Sequence, residues 1–206
     1  MKEPVIPLIQ ADDPNVAVKT AEALKSGGLT TLEVVWRTDA AMDCMAAIVA
    51  KVADVTVGAG TVLTRAQAEM ALDRGAQFIV SPGLDDGVVD VCQSNSIEIY
   101  PGVATATEVQ RAWNMGLRTV KFFPASLSGG VPMLKALSSV FRGMRFMPTG
   151  GVSAANLADF LSLPSVVACG GSWLTPKSEI AAGNFDEITA LAKDALAIAQ
   201  TAKTKF

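Results

Sequence analysis

Short apolar runs recur along the chain at intervals of about 25 residues, and each is followed by a stretch in which apolar side chains have helical spacing. Several runs are rich in β-branched residues and lack strict alternation of polar and apolar positions, which is typical of parallel strands buried on both faces. The predicted strands are Val5–Ile9, Leu32–Trp36, Val55–Val57, Gln77–Val80, Ile97–Tyr100, Thr119–Phe123, Met144–Met147 and Val166–Cys169.

Residues typical of helix ends separate these runs. Asp13-Pro14 combines an N-cap side chain with a proline at the first helical position. Thr105-x-x-Glu108 fits a capping box, and Gly75 stands where a helix is expected to stop. The pattern therefore predicts a helix after each strand.

Eight strand–helix units account for the whole length of 206 residues. Strict alternation of strands and helices predicts an α/β fold with a parallel sheet, and eight units favour a closed (β/α)8 barrel over a doubly wound sheet. We therefore expect one compact TIM-barrel domain spanning residues 1–206.

Composition narrows the classes of partner. Half of the residues are hydrophobic and 18% are charged, which indicates a large buried core. The 17 Lys and Arg residues and 20 Asp and Glu residues leave a net charge of −3, which offers no support for a nucleic-acid or anionic-membrane partner. The only long uncharged run, residues 160–176, contains prolines and glycines that a membrane span would not tolerate. With no signal peptide visible, we expect a cytoplasmic protein.

The absence of histidine excludes several kinds of catalysis. Ser-His-Asp and Cys-His catalysis and histidine-containing zinc sites cannot occur. The three cysteines, Cys44, Cys92 and Cys169, are too few and too widely spaced to suggest a metal site, and are expected to be free thiols. Acid–base chemistry must therefore come from Asp, Glu, Lys, Tyr or Cys side chains, or from bound water.

Lys121 is the first candidate catalytic residue, because it interrupts the apolar strand Thr-Val-Lys-Phe-Phe-Pro. Burying a charged amine is costly, so burial favours the neutral amine, which can attack a carbonyl carbon and form a Schiff base. A buried ion pair, or a lysine that extends to solvent at the rim of the barrel, would explain the same position.

Glu33 is the second candidate, because it lies inside the apolar run Leu-Glu-Val-Val-Trp. Residues 33, 35 and 37 of a strand face the same side, so Glu33 and Arg37 could converge in the barrel as a proton shuttle and a carboxylate-binding guanidinium. The alternative is a structural salt bridge without a catalytic role.

Glycine-rich loops follow the last two predicted strands. Thr149-Gly150-Gly151 is expected to open a helix capped near Ser153, and Gly170-Gly171-Ser172 follows the final strand. Barrels commonly bind phosphate at these two loops through backbone N–H groups and a helix N-terminus. Plain turns are the alternative, but two such loops together favour a phosphate site.

Taken in order, these segments resemble the class I 2-keto-3-deoxy-6-phosphogluconate (KDPG) aldolases, many of which also cleave 2-keto-4-hydroxyglutarate (KHG). The resemblance runs along nearly the whole chain. It is carried by Leu-Glu-Val-x-x-Arg-Thr (32–38), Val-Gly-Ala-Gly-Thr-Val-Leu (57–63), Ser-Pro-Gly (81–83), Pro-Gly-Val (101–103), Lys-Phe-Phe-Pro-Ala (121–125), Pro-Thr-Gly-Gly (148–151) and Gly-Gly-Ser-Trp-Leu (170–174).

The resemblance implies a homotrimeric barrel that uses neither metal nor cofactor and takes a phosphorylated keto acid as its small-molecule substrate. It assigns the Schiff base to Lys121 and the acid–base role to Glu33. The remaining positions are substrate contacts at Arg37, Thr61, Pro82, Phe123 and Thr149, and phosphate contacts at Gly150, Gly151, Gly170, Gly171 and Ser172.

Two features depart from the family pattern, and three alternative functions stay open. Trp36 stands where a smaller or aliphatic residue is usual, and few residues precede the first strand, where members often carry a helix. The alternatives are a 2-keto-3-deoxy-6-phosphogalactonate aldolase, a phosphate-binding isomerase or synthase, and a barrel that binds a keto acid without turnover. An isomerase or synthase would explain the glycine loops but would leave a buried Lys121 without a purpose.

Overall fold

The apolar runs form parallel strands and the segments between them form helices, as seen in a computed structural model that describes residues 3–203. The strands are β1 Val5–Ile9, β2 Thr31–Val35, β3 Thr56–Gly60, β4 Phe78–Val80, β5 Glu98–Tyr100, β6 Gly102–Val103, β7 Thr119–Phe122, β8 Arg145–Pro148 and β9 Cys169–Gly171. The helices are α1 Pro14–Ser26, α2 Ala41–Lys51, α3 Arg65–Asp73, α4 Asp86–Ser94, α5 Ala106–Asn114, α6 Gly130–Val140, α7 Leu157–Leu161, α8 Lys177–Ala182 and α9 Phe185–Lys203.

The strands form a curled parallel sheet, so the predicted α/β class is confirmed. Six strands pair in the order β5-β4-β3-β2-β1-β9, and three pair in the order β6-β7-β8. Isolated parallel bridges join Phe146 to Val166 and Thr149 to Gly170. Because every pairing is parallel, the carboxyl ends of the strands meet at one edge of the sheet.

The sheet is buried on both faces, which explains why the sequence shows no alternation of polar and apolar positions. Ile79 packs in the large core between sheet and helices. Its strand neighbours Phe78 and Val80 instead join an inner cluster with Ile6 and Met147. The side chains thus still alternate between two sides, but both sides are apolar.

Helix ends follow the expected chemistry at several positions. The Asp13 carboxylate accepts hydrogen bonds from the N–H groups of Asn15 and Val16 at the start of α1. Thr105 and Glu108 form the predicted capping box at the start of α5. No helix between residues 3 and 203 is long and apolar enough to cross a bilayer.

The structure corrects the predicted strands at three places. The third strand, predicted to end at Val57, runs from Thr56 to Gly60. The fifth strand is divided into β5 and β6 by Pro101, which has no N–H to donate to a neighbouring strand. The last strand begins at Cys169 rather than Val166, and Val166 makes only an isolated bridge.

Helix predictions fail at two further places. The helix after β8 starts at Leu157 rather than near Ser153, because the Asn156 side chain closes a turn by accepting from Ser153 N and donating to Gly151 O. In the described part of the chain, two helices rather than one follow β9, and Gly183, with a φ of 70°, separates them.

Glu3 ties the start of the chain to the amino end of the sheet. Its carboxylate accepts hydrogen bonds from Thr30 N at 2.9 Å and from Thr31 N at 3.0 Å. This contact holds the segment before β1 against the segment that enters β2. Glu3 thus lies at the amino end of the sheet, where few residues precede the first strand.

Candidate active site

Lys121 and Glu33 lie together in the interior of the curled sheet. Lys121 is on β7 and 2% exposed, whereas Glu33 is on β2 and has no exposed surface. Lys121 Nζ lies 3.8 Å from Glu33 Oε1, which is within ion-pair range but too long for a direct hydrogen bond. Neither carboxylate oxygen of Glu33 has a hydrogen-bond partner within residues 3–203.

An unsatisfied buried carboxylate beside a buried amine calls for a chemical explanation. Buried polar atoms are hydrogen-bonded in the great majority of cases, so the orphaned oxygens of Glu33 mark an unusual position. The amine can attack a carbonyl carbon, and the free carboxylate oxygens can accept or donate protons on the bound molecule or on water. The pair therefore has the groups that Schiff-base chemistry requires.

Gly60 on β3 provides the space that Glu33 occupies. A Cβ at position 60 would overlap the carboxylate and lie 2.7 Å from its Cδ atom. Real Cβ atoms essentially never approach a heavy atom so closely, so a larger residue would displace the Glu33 side chain. The second glycine of the Val-Gly-Ala-Gly-Thr-Val-Leu motif is therefore required for the observed position of Glu33.

Thr61 follows Gly60 with a φ of 60°. A β-branched residue is an outlier in this left-handed region, and such strain concentrates at functional sites. The strained residue stands at the carboxyl end of β3, next to the glycine that faces Glu33. This signal supports the sequence-based choice of Thr61.

Phe123, Pro82 and Thr149 also lie at carboxyl ends of strands. Lys121 Nζ is 5.1 Å from the centre of the Phe123 ring, within the range of a cation–π contact. Pro82 approaches Gly102 so closely that a Cβ at position 102 would collide with the Pro82 carbonyl oxygen. Thr149 is 4% exposed, in the segment directly after β8.

Arg37 is exposed beyond the end of β2. Its N–H donates to the carbonyl of Val35, so the chain turns at Trp36 and the strand alternation that related Arg37 to Glu33 does not extend to it. Arg37 instead lines a cavity of about 150 Å³ together with Ser172. The structure thus brings together two residues that the sequence analysis assigned to opposite ends of a substrate.

The two predicted phosphate loops lie side by side. The bridge between Thr149 and Gly170 joins them, and a Cβ at position 170 would come within 2.8 Å of Thr149 Cγ2. Gly150 and Gly151 have φ values of 92° and 76°, which favour glycine. The expected helix N-terminus is not adjacent to Gly151, because α7 begins at Leu157 and has only five residues.

Ser126 is a residue at this edge that the sequence analysis missed. Its hydroxyl donates to Gly151 O at 3.0 Å, and its N–H donates to Gly150 O at 3.0 Å. Ser126 therefore fixes the loop after β8 from the loop after β7. A serine in an exposed loop carries no local signal of such a contact.

The three cysteines are free thiols, as predicted, and all three are buried. Burial raises the pKa of the Cys92 thiol to about 11 and that of the Cys169 thiol further, so neither forms a thiolate near neutral pH. Burial and the nearby aspartates raise the pKa of Cys44 to about 11. No group of three or more His, Cys, Asp or Glu side chains placed to hold a metal ion occurs in the described part of the chain.

A buried lysine paired with a carboxylate near the carboxyl ends of parallel strands fits a lyase of the class I, Schiff-base type. Comparison with known proteins places the chain within that class. The family described as "Aldolase: KDPG and KHG aldolase" matches residues 1–191. The chain belongs to the KDPG and KHG aldolase family, as its sequence motifs predicted.

Relatives and solved structures agree with this assignment. The chain is 47% identical over 194 residues to the 2-dehydro-3-deoxy-phosphogluconate aldolase of Treponema pallidum, covering 94% of this chain and 92% of that one. It is 43% identical to the KHG/KDPG aldolase of Escherichia coli over 193 residues, covering 94% and 91%. Its fold is similar to a crystal structure of the Legionella pneumophila KDPG aldolase with pyruvate captured as a covalent carbinolamine intermediate. The TM-score is 0.91 at 39% identity, covering 94% of each chain.

We predict that Gly60→Ala lowers aldolase turnover by about 10²-fold or more, the scale on which general acid–base catalysis contributes. The added methyl group overlaps the Glu33 carboxylate and moves it away from Lys121. Measuring both the steady-state kcat and the melting temperature of the variant distinguishes a loss of catalysis from unfolding.

Gly83→Ala is the matched control, because a Cβ at position 83 meets no atom within 4 Å. It should leave kcat unchanged. A folded Gly60→Ala protein with the turnover of the parent would show that the position of Glu33 is not important for catalysis.

Proposed function

We propose that this aldolase cleaves KDPG to pyruvate and glyceraldehyde 3-phosphate through a Schiff base on Lys121. The observation that carries the proposal is the buried pair of Lys121 and Glu33, 3.8 Å apart, in which both Glu33 oxygens lack a hydrogen-bond partner among the described residues. The names of the Treponema and Escherichia coli relatives support the substrate.

The reaction begins when Lys121 gives up its proton, which Glu33 can accept and pass to the departing water, and the neutral amine attacks the C2 ketone of the substrate. Loss of water from the resulting carbinolamine gives an iminium ion, which withdraws electrons from the C3–C4 bond. Removal of the C4 hydroxyl proton breaks this bond, releases glyceraldehyde 3-phosphate and leaves an enamine on Lys121. Protonation at C3 and hydrolysis then release pyruvate, and no cofactor is needed because the iminium is the electron sink.

Glu33 carries the protons in this sequence. It takes up the proton from the C4 hydroxyl and returns a proton to C3 of the enamine, directly or through water. Its burial excludes bulk water from competing for these transfers, and the 3.8 Å between Lys121 Nζ and Glu33 Oε1 keeps the carboxylate close to the atoms bonded to the imine nitrogen.

The remaining residues hold the two ends of the substrate. We assign the pyruvyl carboxylate to Arg37 and Thr61, and the walls of the pocket to Pro82, Phe123 and Thr149. The phosphate is assigned to Gly150, Gly151, Gly170, Gly171 and Ser172. The adjacency of the two glycine loops through the Thr149–Gly170 bridge supports this assignment.

KHG is a second candidate substrate, because the Escherichia coli relative is a KHG/KDPG aldolase. KHG shares the keto acid that Lys121 would attack, but it ends in a carboxylate instead of a phosphate. The same iminium chemistry would release glyoxylate from it.

We also propose that the curled sheet is a closed eight-stranded barrel in a single domain of residues 1–206. β5 and β6 then act as one strand through Pro101, whose carbonyl accepts from Lys121 N at 2.9 Å. The hydrogen bond from Val167 N to Phe146 O supports closure between β8 and β9. The three free thiols favour a reducing, cytoplasmic setting.

The protein is further proposed to be a homotrimer. Large apolar side chains are exposed at Leu127 (89%) and Val140 (72%), which favours burial against another subunit. Light scattering at micromolar concentration should give three times the chain mass of 21.4 kDa. A stable, fully active monomer would contradict the trimer.

Trapping with pyruvate and borohydride tests the Schiff base. One reduced pyruvyl adduct should form per chain, and peptide mass spectrometry should locate it on Lys121, the lysine whose side chain is buried. Lys121→Arg keeps a cation but cannot form the imine, so it should abolish both trapping and turnover. An adduct on another lysine would refute the mechanism.

Ser172→Ala tests the phosphate assignment. It removes one hydrogen bond to a charged group, worth about 1.5–3 kcal/mol. We expect kcat/KM for KDPG to fall roughly 10- to 150-fold, since each 1.36 kcal/mol is a factor of ten. The fall for KHG should be much smaller, and pyruvate trapping should be unchanged. Equal losses for both substrates would mean that Ser172 shapes the pocket in general.

A further inference from the structure

The cavity that contains Arg37 and Ser172 also contains Lys177, which the family motifs do not include. The cavity has a volume of about 150 Å³ and lies beyond the carboxyl ends of β1, β2 and β9. None of its lining residues is acidic. Two cationic side chains therefore border one small cavity in a protein whose net charge is −3.

Neither cation has a counter-ion within the protein. Across residues 3–203, Arg37 and Lys177 take part in none of the ion pairs and in none of the side-chain hydrogen bonds. Both side chains are exposed. The cavity is thus bordered by positive charge that no carboxylate neutralises.

Tertiary contacts hold the backbone of Lys177 beside the cavity. After β9 the chain makes a short 3-10 turn over Ser172–Leu174. The buried Thr175 hydroxyl then donates to Leu8 O at the end of β1, at 2.6 Å. This hydrogen bond fixes the segment just before Lys177, and it thereby holds the backbone of the lysine beside the cavity.

The stability of α8 does not explain a lysine at this position. Lys177 is the first residue of α8, where the helix dipole disfavours a cation. The helix has only six residues and buries none of them, so it gains little from the side chain. A role in binding explains the residue better than a role in folding.

We propose that Lys177 is a specificity-determining residue that binds the distal anionic group of the substrate and favours phosphate over carboxylate. This inference rests on the proposed aldolase function, because it requires the phosphate to lie at Ser172. A phosphate monoester carries about −1.5 to −2 charges at pH 7, whereas a carboxylate carries about −1. The ammonium group therefore attracts the phosphorylated substrate more strongly.

Two aspartates on a neighbouring cavity must be considered as competitors for the ammonium group of Lys177. Asp12 and Asp13 line a neighbouring cavity to which Lys177 and Gln10 also contribute. Asp13 is engaged in capping α1, and neither aspartate is within ion-pair distance of Lys177. Their charges reduce the attraction for every anion, so the contribution of Lys177 is clearest in the ratio between two substrates.

The test compares kcat/KM for KDPG and KHG in Lys177→Ala, Lys177→Arg and the parent protein. Lys177→Ala should lower kcat/KM for KDPG about 10-fold and for KHG less than about 3-fold. Lys177→Arg should retain most of the preference for KDPG. Added salt should lower kcat/KM for KDPG more in the parent protein than in Lys177→Ala, because salt screens the attraction between an exposed cation and the substrate.

Lys193→Ala is the matched control, since Lys193 is an exposed lysine on α9 outside the cavity. It should leave both substrates unaffected. If the parent protein cleaves KDPG but Lys177→Ala leaves the KDPG-to-KHG ratio of kcat/KM unchanged, this inference is wrong and the proposed function stands. A parent that traps no pyruvate and cleaves neither substrate would overturn the proposed function, and the inference with it.

Discussion

The buried ion pair between Lys121 and Glu33 is the constraint on which the rest of this structure depends. Removing an ion from water costs several kcal/mol even after the protein relaxes, and the attraction across 3.8 Å must offset that cost for two ions. The pair is surrounded by a sheet whose two faces are both apolar. A large apolar core can accommodate such a pair, and its amine and carboxylate are the groups that we propose as the nucleophile and the proton carrier of the aldolase.

Glycines at the strand ends make the site possible in a sheet this tightly packed. Gly60 leaves the space for the Glu33 carboxylate, Gly102 admits the Pro82 carbonyl, and Gly170 admits the Thr149 side chain. Gly60 lies on β3, which pairs with the strand that carries Glu33, and Gly170 is bridged to Thr149 in the segment after β8. The absence of a side chain at a glycine therefore leaves the space that a group from a neighbouring segment occupies.

The two ends of the site differ in their physical character. At the proposed reacting end, Lys121 and Glu33 are both buried. At the end proposed for the phosphate, Ser172 and Lys177 are exposed and border one cavity. Burial at the first end strengthens electrostatic effects on the bond that breaks, whereas an exposed cation at the second end suits an anion that remains partly hydrated. This division suits an enzyme that anchors one end of its substrate and transforms the other.

Local patterns in the sequence were sufficient for much of the fold and for the central pair. The strand Val5–Ile9 and the capping box at Thr105 follow from neighbouring residues alone, because strand burial and helix capping are local effects. Lys121 and Glu33 stood out because a charged residue inside an apolar strand is costly. The motifs around them were enough to predict the aldolase family.

Tertiary structure decided what depends on register and on contacts between distant loops. The sequence could not predict that Asn156 delays the helix after β8, that Ser126 holds Gly151, or that Arg37 and Lys177 border one cavity. Strand periodicity describes which side a residue faces only while the strand continues, and β2 ends before Arg37. Beyond the strand ends, positions are determined by hydrogen bonds between segments far apart in the chain, which no local pattern records.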